Sequence, residues 1–410
     1  MKRLVYAVLV LGWSGMVASS LELAAQTPTT EAPKAVEAPR AVETPAPAPQ
    51  ISPAMAELLS HTTFSGYLST SYFFNFNNPS NDINTGRSFD NKSDEFSLNK
   101  LHLTLDNPVE YSSENWDAGF HTDVIFGEDA PLLQSAGLSL GNQGDLEEAN
   151  FTVNVPIGNG LKVSAGKWAT YMGVEVIEET LNPNWSEGNQ FLFVENFTHL
   201  GVGLEYKWCD WLETKARITN GWDVVKDNNN AKSFMGAIVV TPDEDTLLAL
   251  VPYGGPEQSQ AATTGSASAW RSGLNFVGSR AITSELKAYL QLDYGHENEN
   301  TALADPTNDA DWYAAGIWLT YQCCEKVGVA FRADYFNDPD GARTSGAPFT
   351  APFPANTGQE LTSFTFTVNY LPLKNVQVRP EIRWDHSTLD DAFANDRDQV
   401  TVGCGAAFLF

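Results

Sequence analysis

From Phe64 to Phe410 the chain alternates apolar and polar residues in runs of about ten, separated by turn-forming residues. A period of two sends successive side chains to opposite faces of a strand. In the last run Val400, Val402, Cys404, Ala406, Phe408 and Phe410 share one face, and Thr401, Gly403, Gly405 and Ala407 share the other. Within 361–370, Phe364, Phe366, Val368 and Tyr370 oppose Ser363, Thr365, Thr367 and Asn369. Within 376–385, Val376, Val378, Ile382 and Trp384 oppose Gln377, Arg379, Glu381, Arg383 and Asp385.

A soluble sandwich also alternates, so the residues on the polar face decide the reading. Here that face carries charge again and again: Glu205 and Lys207, Glu213, Lys215 and Arg217, Lys287 and Asp293, Arg332 and Asp334. The apolar face often ends in aromatics, as at Tyr206 with Trp208, Tyr294, Tyr321, Tyr335 and Tyr370, where a membrane barrel carries its interfacial girdles. Connections alternate in length as well. Those at 157–160, 208–211, 279–283, 322–326 and 371–375 are short, whereas 78–93, 127–145, 172–196, 255–266, 296–309, 338–358 and 387–398 are long. The pattern predicts an all-β transmembrane antiparallel β-barrel of about sixteen strands, within roughly 14 to 18, with short periplasmic turns and long external loops. Strands are least well marked near 233–254, and Pro252 and Pro380 lack a ladder donor, which predicts a bulge or a strand end at each.

The N-terminal stretch sets the route. Lys2 and Arg3 precede the apolar run 4–17, followed by Ala18, Ser19 and Ser20, which is a secretory signal peptide expected over 1–25. Residues 26–61 open with Pro, Ala, Thr and Glu and the near-repeat EAPKAV/EAPRAV, and are expected to be a periplasmic tether ending in a turn of helix at 55–61. The barrel is expected over 62–410. After the signal no apolar run approaches the roughly 18 residues of a spanning helix. An exported sheet with an apolar face therefore belongs in the bacterial outer membrane, with lipid and lipopolysaccharide as neighbours. The terminal Phe410 at the close of a strand is the feature that the outer-membrane assembly machinery would read.

Charge narrows the function classes. The formal net charge is −27, which excludes nucleic acid as a partner and fits a cation-concentrating vestibule. Cys209, Cys323, Cys324 and Cys404 form neither a disulfide framework nor a metal-ligand spacing.

Several blocks resemble the β-barrel porin-2, OmpL-like family of bacterial outer-membrane proteins. They are SGYLSTSYFFNFNNP (65–79), FDNKSDEFSLNKLHLTL (89–105) and, most specifically, AGKWATYMGVEVIEETLNPNW followed by FTHLGVGLEY. The family pattern falls on Gly166, Lys167, Trp168, Thr170, Gly173, Glu175, Thr198, His199, Gly201 and Val202. The resemblance spans 62–410 and implies a barrel with a pore, without implying a substrate.

About sixteen strands enclose a water-filled lumen unless something folds into it. The constriction candidate is the loop 172–196, whose Glu175, Glu178, Glu179 and Glu187 either face wall Lys and Arg across the pore or lie outside as a solvated surface. The pore-lining candidates Glu213, Lys215, Arg217, Arg332, Asp334, Arg379, Glu381, Arg383 and Asp385 give a lumen of mixed sign. The acidic surplus is then assigned to loops, at Asp243–Asp245, Glu297, Glu299, Asp390, Asp391, Asp396 and Asp398. His102, His121 and His199 could face the lumen, with Asp117 and Asp123 beside His121, and wall hydrogen bonding is the expected role. The absence of a Gly-x-Ser-x-Gly elbow and the scattering of the histidines argue against an enzyme. No cofactor and no metal is expected. The expectation is a porin for small hydrophilic solutes or ions with weak cation preference, with a homotrimer as the assembly suggested by analogy with general porins. The competing readings are a plugged structural or adhesive barrel and, last, an outer-membrane enzyme.

Overall fold

The computed structural model describes residues 52–258, 268–344, 353–354 and 357–410. The expected signal peptide and most of the tether lie outside the described residues. A short helix α1 (Pro53–His61) precedes the barrel, and among the described residues no helix is long and apolar enough to cross a membrane.

Sixteen antiparallel strands follow: β1 (Thr63–Asn75), β2 (Glu95–Asn107), β3 (Asp117–Phe126), β4 (Gly144–Val155), β5 (Leu161–Ala169), β6 (Thr198–Cys209), β7 (Leu212–Thr219), β8 (Ser233–Asp243), β9 (Thr246–Pro256), β10 (Trp270–Ala281), β11 (Leu286–Glu297), β12 (Ala310–Cys324), β13 (Val327–Asp338), β14 (Gln359–Leu373), β15 (Val376–Ser387) and β16 (Asp398–Leu409). Each pairs with its neighbour in sequence. β1 then pairs with β16, from Tyr67 opposite Leu409 to Asn75 opposite Thr401, so the sheet closes. Closure leaves no row of unpaired backbone groups, the condition for a sheet surrounded by lipid.

The distribution of side chains is inverted relative to a soluble domain. Outward Phe366 and Ile382 are 43% and 49% exposed, whereas inward Arg332 and Arg383 are buried. Outward aromatics collect near strand ends, with Tyr294 packed on Tyr313 at one end and Tyr206 on Trp208 at the other.

The connections sort to two ends. One end carries the connections at 108–116, 156–160, 210–211, 244–245, 282–285, 325–326 and 374–375 and the start and close of the barrel; we call it the turn end. The other carries the connections 76–94, 127–143, 170–197, 220–232, 257–269, 298–309, 339–358 and 388–397, here loops L1 to L8. L4 (220–232) was not anticipated, because its Asp-Asn-Asn-Asn run leads into the weakly marked stretch 233–254. The placement of Asp243–Asp245 in a loop vestibule is corrected: these residues form the β8–β9 turn, at the end opposite the long loops.

The prolines are handled without bulges. Pro252 lies inside β9 opposite Leu274 of β10, and Pro380 lies inside β15 opposite Cys404 of β16. On the other side of each, the pairing is interrupted: β8–β9 skips from Met235–Tyr253 to Ile238–Leu250, and β14–β15 from Thr367–Glu381 to Tyr370–Val378. The register is the same on both sides of each gap. The missing N–H thus opens the ladder locally instead of shifting it.

Candidate functional site

L3 (170–197) enters the barrel and packs on the inner wall. Two short helices, α2 (Ala130–Leu133) in L2 and α3 (Asn189–Phe193) in L3, belong to the loop layer. L3 has an apolar half and a polar half. In the apolar half, Phe191 meets Phe89 of L1 and Phe197, while Phe193 stacks on Phe336 of β13. These residues join Leu133, Trp312 and Phe393 in a hydrophobic cluster at the loop end.

The polar half, 173–190, is bound to the inward faces of β10 to β16 and of β1 and β2. Arg332 Nη1 donates to Glu175 Oε1 at 2.6 Å, and its Nε lies 3.1 Å from Asp334 Oδ2. Arg379 donates to the carbonyl oxygens of Glu179, Asn182 and Pro183, at 2.5, 2.7 and 2.8 Å. Arg383 donates to the Glu187 carbonyl at 2.6 Å and to Asp385 at 2.7 Å. Glu381 accepts from the Trp185 amide at 2.8 Å, and Asp334 from the Asn189 side chain at 2.6 Å. Five of the predicted wall charges therefore grip the loop, through its backbone as much as through its acids.

The loop carboxylates, read from sequence either as facing wall cations or as a solvated outer surface, lie inside the barrel against the wall. Glu175 touches Arg332, and Glu179 lies 2.9 Å from Lys100 Nζ. Glu187 accepts from Ser88 of L1 at 3.0 Å, and burial pushes its carboxyl well above the usual carboxylate range. Only Glu178 keeps appreciable side-chain exposure, at 19%. Glu175 and Glu179 are thus buried in ion pairs with the wall, the condition under which buried charges persist.

The family-pattern residues gather at the two roots of L3. Lys167 donates to the Leu146 carbonyl at 2.6 Å and pairs with Asp145 at 3.2 Å. Thr170 donates to Asn196 Oδ1 at 2.8 Å, joining the loop's start to its end. Asn196 in turn meets His199 Nδ1 at 2.8 Å, and His199 Nε2 lies 3.2 Å from Arg217. Gly173 sits at φ +92°, and a Cβ there would lie 2.3 Å from the Glu195 carboxylate, so the turn into the lumen requires glycine. Gly166 and Gly201 face each other across β5 and β6, where the strands feed the loop.

The opposite part of the wall is left freer. On β6 and β7, Glu205 and Lys215 keep side-chain exposures of 21% and 24%, and Lys215 bridges Glu205 and Glu213 at 3.4 Å each. On β2 and β3, Asp106 and His121 pair at 3.1 Å with exposures of 35% and 32%. Arg217 lies 3.7 Å from the Tyr171 ring and 4.7 Å from Trp168. A recess of about 250 Å³ also opens at the turn side of L3, between Thr180, Pro183, Tyr289, Thr320 and Gln377. Sequence reasoning did not select Lys100, Arg87, Trp185 or Glu147. Arg87 of L1 reaches Asp385 at 2.6 Å, and the ring of Trp185 occupies the space beside Gly405. A polar position on an alternating strand was the available signal for Lys100 and Glu147. Arg87 and Trp185 gave none, being loop residues.

A closed sixteen-strand sheet with an apolar outside, a charged inside and an inserted third loop describes an outer-membrane channel protein. The sequence profile of the family described as "Putative beta-barrel porin-2, OmpL-like" matches residues 61–410. The chain belongs to this family. No curated protein matches it at the level of sequence. Among solved structures, the fold is similar to OmpT of Vibrio cholerae in its trimer form, with 14% identity, TM-score 0.55 and coverage of 85% of this chain and 99% of that one. It is similar to the anion-selective porin from Comamonas acidovorans, with 8% identity, TM-score 0.58 and coverage of 85% and 99%. It is also similar to Pseudomonas putida OprB, with 10% identity, TM-score 0.56 and coverage of 87% and 96%. At these identities the likeness is one of fold. The family places the protein among outer-membrane porins.

Proposed function

We propose that this porin passes small hydrophilic solutes or ions along a lumen bounded by β3 to β9 and L3, with weak cation preference. One observation carries the reading: the inward charges of β13 and β15 are buried under L3, while His121 of β3, Glu205 of β6 and Lys215 of β7 remain partly exposed. Water therefore has a path on one flank of the loop. The charges near that path are mostly acidic: Asp106, Asp123, Glu148, Glu178, Glu205 and Glu213 against Lys162, Lys215 and Arg217. An acidic lining raises the local cation concentration. The long loops would face outward and the turn end the periplasm, with Phe410 read during assembly and three copies forming the oligomer.

Planar-bilayer recording of the protein purified from outer membranes tests this. Stepwise conductance with a reversal potential of cationic sign under a salt gradient supports it. An anionic sign removes the preference, and silence from protein with normal heat-modifiable gel mobility favours a plugged barrel.

A further inference from the structure

Between L3 and the wall formed by β2, β3 and β4, at the margin of the freer flank, lies a further constellation. His102 of β2 is 4% exposed, and its Nε2 has no hydrogen-bond partner. Around that nitrogen stand three carboxylates on three different elements: Glu147 Oε2 of β4 at 3.7 Å, Glu178 Oε1 of L3 at 3.9 Å and Asp123 Oδ1 of β3 at 4.0 Å. Glu147 is fully buried, and neither of its carboxylate oxygens has a hydrogen-bond partner. Asp123 Oδ1 has none either. Orphaned carboxylate oxygens at full burial are costly, because a charge removed from water needs a counter-charge or a proton. Lys100 does not supply one, being committed to Glu179 at 2.9 Å and to the Ile177 carbonyl at 2.6 Å.

We propose that His102, Asp123, Glu147 and Glu178 bind one divalent first-row transition-metal cation. Four donors around such an ion, with bonds of about 2.1 Å, stand roughly 3.4 Å apart at the edges of a tetrahedron. The observed separations from His102 Nε2 are a few tenths of an ångström wider, and the His102, Asp123 and Glu178 donor atoms lie within 4.8 Å of one another. Glu147 is near His102 but outside that group of three, so ligation by all four requires rotation of Glu147 as well as of Glu178, the partly exposed member. An imidazole among carboxylates favours zinc-like ions over magnesium or calcium, which prefer oxygen alone. The supporting contacts suit ligation by Nε2. Nδ1 of His102 lies 3.4 Å from Thr104 Oγ1, which can accept its proton in the tautomer whose Nε2 lone pair points at the carboxylates. The Tyr67 ring, stacked on His102 at 5.0 Å, fixes the imidazole plane. Neighbouring His121 is not part of the site. Both its nitrogens are already engaged, with Asp106 at 3.1 Å and Asp123 Oδ2 at 2.8 Å. Because Glu178 belongs to L3 and the other donors to the wall, a bound ion would tie the loop to β2–β4, a flank on which the arginines of β13 and β15 do not act.

The test uses full-length protein in detergent, stripped with a chelator and titrated with Co2+. Saturation at one equivalent, with visible ligand-field absorption displaced by Zn2+, is the expected result. His102→Asn is expected to abolish the absorption, Glu147→Gln to weaken binding at least tenfold, and His121→Asn to leave it intact. X-ray absorption of Zn2+-loaded wild-type protein, which depends on no variant folding, is expected to show a single imidazole among oxygen ligands. Absence of saturable Co2+ absorption overturns the proposal, and would mean that the carboxylates are held by protons. So would absorption that survives His102→Asn or is lost with His121→Asn in barrels of normal heat-modifiable mobility, or a zinc shell with no imidazole or with two.

Discussion

Arg332 of β13 and Glu175 of L3 form a buried ion pair, with Nη1 2.6 Å from Oε1 and side-chain exposures of 0% and 1%. The guanidinium also donates to Thr365 and to the Ser186 carbonyl, so one wall residue holds two points of the loop. Removing one partner of a buried pair leaves an uncompensated charge, at a cost of about 3–5 kcal/mol. Arg332→Gln is therefore expected to loosen L3 without unfolding the barrel. Single-channel recording should show larger and noisier conductance than wild type, and an unchanged trace would remove the loop from the conducting path.

Trp185 provides a second fastening by shape. A Cβ on Gly405 would fall 1.9 Å from the Trp185 ring, so Gly405→Val forces the ring out. Trp185→Ala removes the ring itself, with a loss of packing of about 3–5 kcal/mol. Both variants are expected to speed amide exchange in 180–190 while the strands stay protected. Protection of the loop in Gly405→Val would contradict the packing.

The charges on the freer flank set ionic preference. Lys215 lies between Glu205 and Glu213, and all three are about a quarter exposed, so salt screens them substantially. Glu205→Gln is expected to lower the cation-to-anion permeability ratio roughly twofold, and Lys215→Gln to raise it by a similar factor. Both effects should shrink at high salt. Reversal potentials insensitive to both changes would place the permeation path elsewhere.

Asp223 of L4 accepts from the amides of Phe197 and Thr198, at 2.6 and 3.0 Å, joining L4 to the closing root of L3. Burial raises its carboxyl from 3.8 to about 6 in spite of those donors. The folded state thus binds more protons than the unfolded one between those values, and this contribution to stability declines as pH rises through that window. Exchange at the Phe197 and Thr198 amides, corrected for intrinsic rates, should be slower at pH 5 than at pH 7. Asp223→Asn should erase the difference; a difference that persists would assign it to another group.

Position relative to the bilayer is testable on one strand. Phe366, outward and mid-strand on β14, is expected to lose about 2–4 kcal/mol as Arg, while Thr362, outward near the loop end, loses about 0–1. The heat-modifiability midpoint should fall for Phe366→Arg and hold for Thr362→Arg. Equal effects would move the apolar belt.

Much of the barrel is legible in one dimension because strand geometry is local. A period of two assigns each side chain a face whatever its neighbours are, so Val376 to Asp385 sort themselves into wall and lumen without any tertiary information. Turn residues and the lengths between them then give a strand number close to sixteen, and an even count lets the sheet close with every pair antiparallel. The position of L3 was not legible in the same way. Its acids read equally as a solvated surface or as a lumen lining, because a loop has no periodicity to assign it a face.

Only the closed sheet decided that question. It brings Lys100 of β2, Arg332 of β13 and Arg379 of β15 around one loop, although they are distant in sequence. The same holds for His102, Asp123, Glu147 and Glu178, which come from four elements and share no sequence spacing. Alternation determined which way each residue points; the curvature and register of the closed barrel determined what it meets there.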